Sequence, residues 1–207
     1  QANRLSAVFL NGEFWGLHHI RERYDDWYLA ENYGISRDSV VILEDTWSEP
    51  CIFDDGNIEG RQHFIDLLDY VNNNTLYSND HFAEVEKKID TDNYLNYFLA
   101  RIFFADADWP QHNVRYWRAI RDYDPNADPG LDGRWRWMVY DTDNACGMIH
   151  DYTYDSLGWA LRIRGEDNLL VNPYLLFGRM MKNTGFRNRF INRYADMLNS
   201  RFRPETM

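Results

Sequence analysis

Residues 92–113 read DNYLNYFLARIFFADADWPQHN, and residues 137–144 read WMVYDTDN. The first stretch predicts a helix, with Tyr94, Leu95, Phe98, Ile102 and Phe103 forming a broad apolar face, and Thr91 is placed to cap it. That helix runs straight into an acidic turn, where Asp108 is followed five positions later by Asn113. The second stretch ends a hydrophobic run on Asp141-Thr142-Asp143. Between them, VRYWRAI (114–120) and RWRWMVYD (134–141) are rich in aromatic and β-branched residues, and DPNADPGLDG separates them with turn signals. This predicts two strands paired as a hairpin, with an acidic motif at either end. An aromatic helix feeding an acid-flanked hairpin argues for an α+β domain.

Composition sets the limits around this unit. The chain has 207 residues, 44% of them hydrophobic and 16% aromatic, ample for a packed core. Thirty-three acidic against 22 basic residues give a net charge of -11, which argues against nucleic acid as the partner. The longest apolar run, YFLARIFFA (97–105), is short and carries Arg101, so no membrane span is predicted. Cys51 and Cys146 lie far apart without a CxxC or His partner spacing, and read as two buried free thiols.

Outward from the hairpin the pattern stays mixed. Asn11-Gly12 between RLSAVFL and EFWGLHHI predicts an antiparallel pair over about 5–10 and 14–20, because a type I′ turn needs positive φ at both central residues. Asp25-Asp26 opens a short helix that Gly34 closes, and VVIL (40–43) reads as a strand. Residues 44–58 show no periodicity and read as a loop. Phe64, Leu67, Leu68 and Val71 have helical spacing within 59–71, Ser78 can cap the next helix, and Pro173 suits a first helical turn ahead of a closing amphipathic helix.

Asp108, Asn113 and Asp141 are hard oxygen donors of the kind that grip Mg²⁺ while leaving room for phosphate oxygens. In the protein-kinase arrangement an Asp takes or orients the proton of the acceptor hydroxyl, an Asn follows five residues later, and a metal-binding Asp ends the next strand. Asp141 and Asp143 would face one side of an extended backbone. The competing reading is local: Asp and Asn bond their own backbone in turns, and DWPQHN then only opens a hairpin.

Read in order, FLNGEFWGLHHIRER, DNYLNYFLARIFFADADWPQHNVRYWR, GRWRWMVYDTDNACG, NPYLLFGRM and FRNRFINRYADMLN resemble the CotH kinase family, the atypical kinases of spore coats and secreted proteins, over most of the chain. The resemblance implies an atypical protein-kinase-like fold, mainly a helical C-terminal lobe plus a β-hairpin from the N-terminal lobe. About 1–45 would end the N-lobe and hinge, and about 46–207 would form the C-lobe with the catalytic hairpin. It implies ATP with Mg²⁺, phosphorylation of Ser/Thr hydroxyls on a coat or extracellular protein, and a location at the cell surface or spore coat. Residue by residue, the resemblance implies Asp108 as the catalytic Asp, Asn113, Asp141 and Asp143 as metal-binding residues, Asp143 being the second acid of the strand-end motif, and Glu22 as a cofactor-binding acidic position near the nucleotide. The family's upstream Arg-Gly-Asn segment and its basic strand with a phosphate-contacting Lys have no match, so Gln1 is expected to begin partway through the domain. The lysines are Lys87, Lys88 and Lys182, none on a predicted strand.

Other residues carry weaker signals. His18 and His19 are adjacent on a strand and face opposite ways. His112 reads as a solvent-facing turn residue. Trp109, Trp117, Trp135 and Trp137 read first as packing and second as a sugar-stacking floor. Asp54-Asp55-Gly56-Asn57 resembles part of a Ca²⁺ loop without its full pattern. The arginines of 187–203 read as a solvated helix face. Three function classes remain open: an atypical protein kinase, a non-catalytic kinase-like binding module, and a carbohydrate-active protein with two working carboxylates.

Overall fold

Alternation along one strand builds the core of this chain on both sides of a sheet. In the computed structural model, which describes residues 3–151, 153–161, 168–203 and 205, β3 spans Val40–Asp45. Val40 and Ile42 point one way, and Val41 and Leu43 point the other. The first pair packs with Leu29, Trp117 and Met138, and the second joins the main core. The sheet is antiparallel in the order β4-β3-β5-β6, where β4 is Ile52–Gly56, β5 Val114–Ala119 and β6 Arg136–Met138. The mixed composition agrees with the α+β class expected from sequence.

Ahead of the sheet, β1 (Asn3–Leu10) and β2 (Glu13–Arg21) form the expected hairpin. Asn11 and Gly12 have φ of 51° and 86°, the left-handed values that a type I′ turn demands. The ribbon exposes Leu5, Phe9, Phe14, Trp15, Leu17 and Ile20. It leads to α1 (Asp26–Tyr33), which the Asp25 carboxylate caps through Tyr28 N and Gly34 closes at φ 64°.

Residues 44–58 are not all loop. β4 lies within them, paired to β3 through a bulge between Ile42 and Leu43, because Phe53 packs on the main core. The expected strand 134–141 is shorter, β6 running only from Arg136 to Met138, and Val139 to Asp141 leave the sheet.

Helices cover the far face. In α2 (Arg61–Asn73) the buried residues are Phe64, Leu67, Leu68 and Val71, as their spacing requires. Ser78 caps α3 (Asn79–Glu86). The cap of α4 (Thr91–Phe103) is Asp90, which accepts from Asn93 N; Thr91, expected in that role, is instead the first helical residue. Phe98 of α4 stacks at 4.1 Å on Phe177 of α6 (Leu176–Met180), α5 (Ser156–Ala160) packs beside α4, and α7 (Thr184–Leu198) closes the chain. Arg189 and Arg193 on α7 pair with Glu86 and Asp92, as expected of a solvated face. No helix among the described residues is long and apolar enough to cross a membrane.

The four tryptophans at 109, 117, 135 and 137 are buried, so they offer no open platform for a sugar. Both cysteines are free, but only Cys51 is buried; Cys146 is exposed, because the loop after Asp143 lies at the surface. The acidic turn 54–57 is occupied by the fold. Asp54 pairs with Arg115, Asp55 accepts from Gly56 N, and Asn57 bonds Glu59 N and Asp38 O. A Ca²⁺ ion there would have to displace these partners.

Trp135 also sets a pH dependence. Its Nε1 donates to His63 Nδ1 over 3.0 Å, and burial, then Arg118 and Lys88, lower the His63 pKa from 6.5 to about 3. A depressed folded value means stability is fully present above pH 6.5 and is lost as pH falls toward 3. His63→Gln keeps an acceptor for the indole but does not titrate. Chemical denaturation at pH 7 and pH 4 is expected to show the wild type losing about 1–2 kcal/mol more than the variant, the ring's partial exposure keeping the figure small. Equal losses would refute the assignment.

Candidate functional site

One buried cation organises the region that the sequence singled out. Arg101, near the end of α4, is 1% exposed and forms an ion pair with Asp106. Its Nη2 donates to the carbonyls of Asn113 (2.8 Å) and Tyr140 (2.6 Å), and its Nη1 to that of Asp141 (3.2 Å). A planar guanidinium can gather several acceptors at fixed angles, which an ammonium cannot. This is why the chain leaves the sheet after Met138: the Tyr140 and Asp141 carbonyls turn to Arg101 in place of a strand partner.

A second tie joins the same two loops. Asn144 Nδ2 donates to Asp108 Oδ2 over 2.8 Å, and Ala107 N donates to Asn144 O over 3.3 Å. Cys146 N donates to Phe104 O over 2.7 Å. Segments 104–108 and 141–146 are therefore zipped together, though they are distant along the chain.

The backbone here is unusual. Of the residues other than glycine with positive φ among those described, Ala105 (51°), Asn113 (56°), Asp141 (49°) and Cys146 (57°) border this pair of loops. Asn and Asp tolerate the left-handed region through local hydrogen bonds, but Ala and Cys have no such compensation. Strained conformations gathered in one place are a mark of functional loops. The positive φ at Asp141 shows that the backbone here is not the extended strand expected, although the Asp141 and Asp143 side chains still meet.

The carboxylates are nevertheless close. Burial, then the charge of Asp143 and a side-chain contact with it, then the charge of Asp108, raise the pKa of Asp141, and Arg101 only partly offsets them. Burial likewise raises Asp106; Arg101 opposes that, and Asp108 adds to it. Asp108 is half-buried, with Oδ1 wholly buried and meeting no donor, and Asn113 is buried. The fold thus brings Asp108, Asn113, Asp141 and Asp143 into one neighbourhood.

Glu22 stands on the segment that follows β2. It is exposed beyond β2, and its charge bears on Tyr24 and Tyr28. Its segment is tied to the loops indirectly. Tyr24 O accepts from Arg115, whose guanidinium lies 4.6 Å over the Tyr140 ring, and Tyr140 donates to Glu44 over 2.6 Å. His112 is half-buried beside Trp47, with ring centroids 5.6 Å apart and Nδ1 buried without a partner, so it is not the free turn residue the sequence suggested.

Whether this donor set suits a divalent cation can be judged from its chemistry. No three of His, Cys, Asp and Glu among the described residues are grouped to hold a metal ion by themselves. Mg²⁺ does not need such a cage, since it keeps several waters and binds through one or two carboxylates plus phosphate oxygens. Asn113, Asp141 and Asp143 supply hard oxygens, and the mutual repulsion of Asp141, Asp143 and Asp108 is the kind a cation relieves. In kind, these oxygen donors are those Mg²⁺ takes when it is held jointly with a polyphosphate.

Sequence reasoning missed Arg101 and Asn144. Arg101 was visible as a lone charge inside an apolar helix, a position that needs buried partners. Asn144 stands directly after Asp143 but fits no spacing rule.

With this geometry in hand, comparison with known proteins adds one finding. The family model described as CotH kinase protein matches residues 1–207, the whole chain. The comparison with curated proteins gave no match.

Proposed function

We propose that this chain, which belongs to the CotH kinase family, transfers the γ-phosphoryl group of ATP to protein Ser or Thr hydroxyls. The observation that carries this reading is the gathering by Arg101 of the Asn113, Tyr140 and Asp141 carbonyls beside the Asp108 loop. In this reading Asp108 accepts the proton as the acceptor hydroxyl oxygen bonds to the γ-phosphorus. The bond from that phosphorus to the bridging oxygen breaks, and ADP leaves. Asn113 and Asp141 would hold the metal, and Asp143 would support Asp141. Mg²⁺, when bound, supplies charge neutralisation on the triphosphate. Glu22 is assigned to the nucleotide side of the cleft on resemblance alone. The acceptor is read as a coat or extracellular protein, in keeping with the family.

A second reading, a kinase-like module that binds without catalysis, is favoured by the placement of the lysines. Lys87 is exposed and pairs with Glu84 on α3, next to Lys88, and Lys182 follows α6. Among the described residues, the one lysine ion pair is that of Lys87 with Glu84, away from the acidic loops in sequence. Titration of the chain with ATP in the presence of Mg²⁺ separates the two. Binding is expected, and Asp141→Ala is expected to weaken it at least about tenfold, the loss of one charge-assisted ligand. An identical titration for the variant would count against phosphotransfer.

A further inference from the structure

We infer that Asn144 is a positioning residue that holds Asp108 in register with the loop bearing Asp141 and Asp143; the inference rests on the phosphotransfer reading above. The Asn144 amide is the one hydrogen-bond donor on the Asp108 carboxylate among the described residues, reaching Oδ2 at 2.8 Å while Oδ1 stays buried without a partner. Its other charged neighbours are carboxylates: Asp106 on its own loop, which also makes a side-chain contact with it, and Asp141 on the facing one. Without the amide, the Asp108 carboxylate loses its hydrogen bond to the loop that bears Asp141 and Asp143. The backbone carbonyl of the same residue accepts from Ala107 N, so Asn144 grips the Asp108 loop at two points. A single residue thereby links the group that takes the proton to the loop that would hold the metal. That is a requirement of in-line transfer, where a misplacement of about 1 Å can cost a hundredfold.

The test is steady-state phosphotransfer from γ-labelled Mg·ATP to a Ser/Thr peptide library by the wild type and by Asn144→Ala, Asn144→Ser and Asn144→Asp. Melting temperatures are recorded in parallel to show that each variant folds. Asn144→Ala is expected to lower kcat roughly ten- to a hundredfold, the worth of a hydrogen bond to a charged group. Asn144→Ser, which keeps a donor, should recover part of this, and Asn144→Asp should lose most, because it adds a third repelling carboxylate. KM for Mg·ATP is expected to stay within about twofold, since Asn144 is assigned no contact with nucleotide or metal. Wild-type kcat in Asn144→Ala would overturn the inference. So would a parallel loss of kcat and Mg·ATP affinity in all the variants, which would mark Asn144 as merely structural. A folded wild type that transfers no phosphate overturns the reading beneath it instead, so the two failures are distinguishable.

Discussion

Arg101→Met is expected to destabilise the protein by about 3–5 kcal/mol, the range for breaking a buried ion pair by removing one partner. Asp106 would be left 2% exposed with its carboxylate uncompensated, and the carbonyls of Asn113, Tyr140 and Asp141 would lose their donor. In a domain of this size each kcal/mol lowers the melting temperature by about 2–4 °C, so a fall of roughly 10 °C is the expected reading. Two further variants identify the cause. Arg101→Lys keeps the charge but not the fork, and should fall between. Combining Arg101→Met with Asp106→Leu removes the stranded carboxylate and should recover only part of the loss, because the carbonyls remain unserved. Full recovery would mean the ion pair mattered and the carbonyl clamp did not. An Arg101→Met protein within about 1 kcal/mol of wild type would refute the clamp altogether.

That variant also bears on what the sequence could reveal. The hairpin at Asn11-Gly12, the helix closed by Gly34 and the apolar faces of α2 and α4 were legible because each follows from local geometry: positive φ, a cap, a 3.6-residue period. β4 was not, because residues 52–56 acquire their strand conformation from β3 and from the core under Phe53, and neither leaves a trace in the spacing of that segment. Asp108, Asn113, Asp141 and Asp143 were readable as oxygen donors in a familiar order. Their convergence was not, since it depends on one guanidinium reaching loops 12 and 40 residues away along the chain. Asn144 was hidden for the same reason: its partner, Asp108, is 36 residues distant. Two further readings met residues already engaged by the fold. Tryptophans taken as a possible sugar floor are core residues, and an acidic turn taken as a possible Ca²⁺ loop is consumed by Arg115 and by its own backbone.

Asp108→Asn should separate chemistry from binding more cleanly than any other change. The substitution keeps size and shape, and Asn144 can still donate to an amide oxygen at that position, so the folded structure and its melting temperature are expected to hold. What disappears is the ability to accept a proton from the incoming hydroxyl. General-base assistance contributes about 10²–10⁴ in rate, so kcat for transfer from Mg·ATP is expected to fall by that factor. Affinity for Mg·ATP should be largely retained, because in this reading Asp108 is not a ligand to the metal and Asn113 and Asp141 are left in place. Asp141→Ala would behave in the opposite way, losing nucleotide first. This double dissociation belongs to phosphotransfer alone. A non-catalytic module would bind Mg·ATP and show no rate to lose, and a carbohydrate-active protein would be indifferent to the nucleotide in every variant. Asp108→Asn with undiminished transfer would therefore leave the Asp141 loop as a binding site and remove Asp108 from the chemistry.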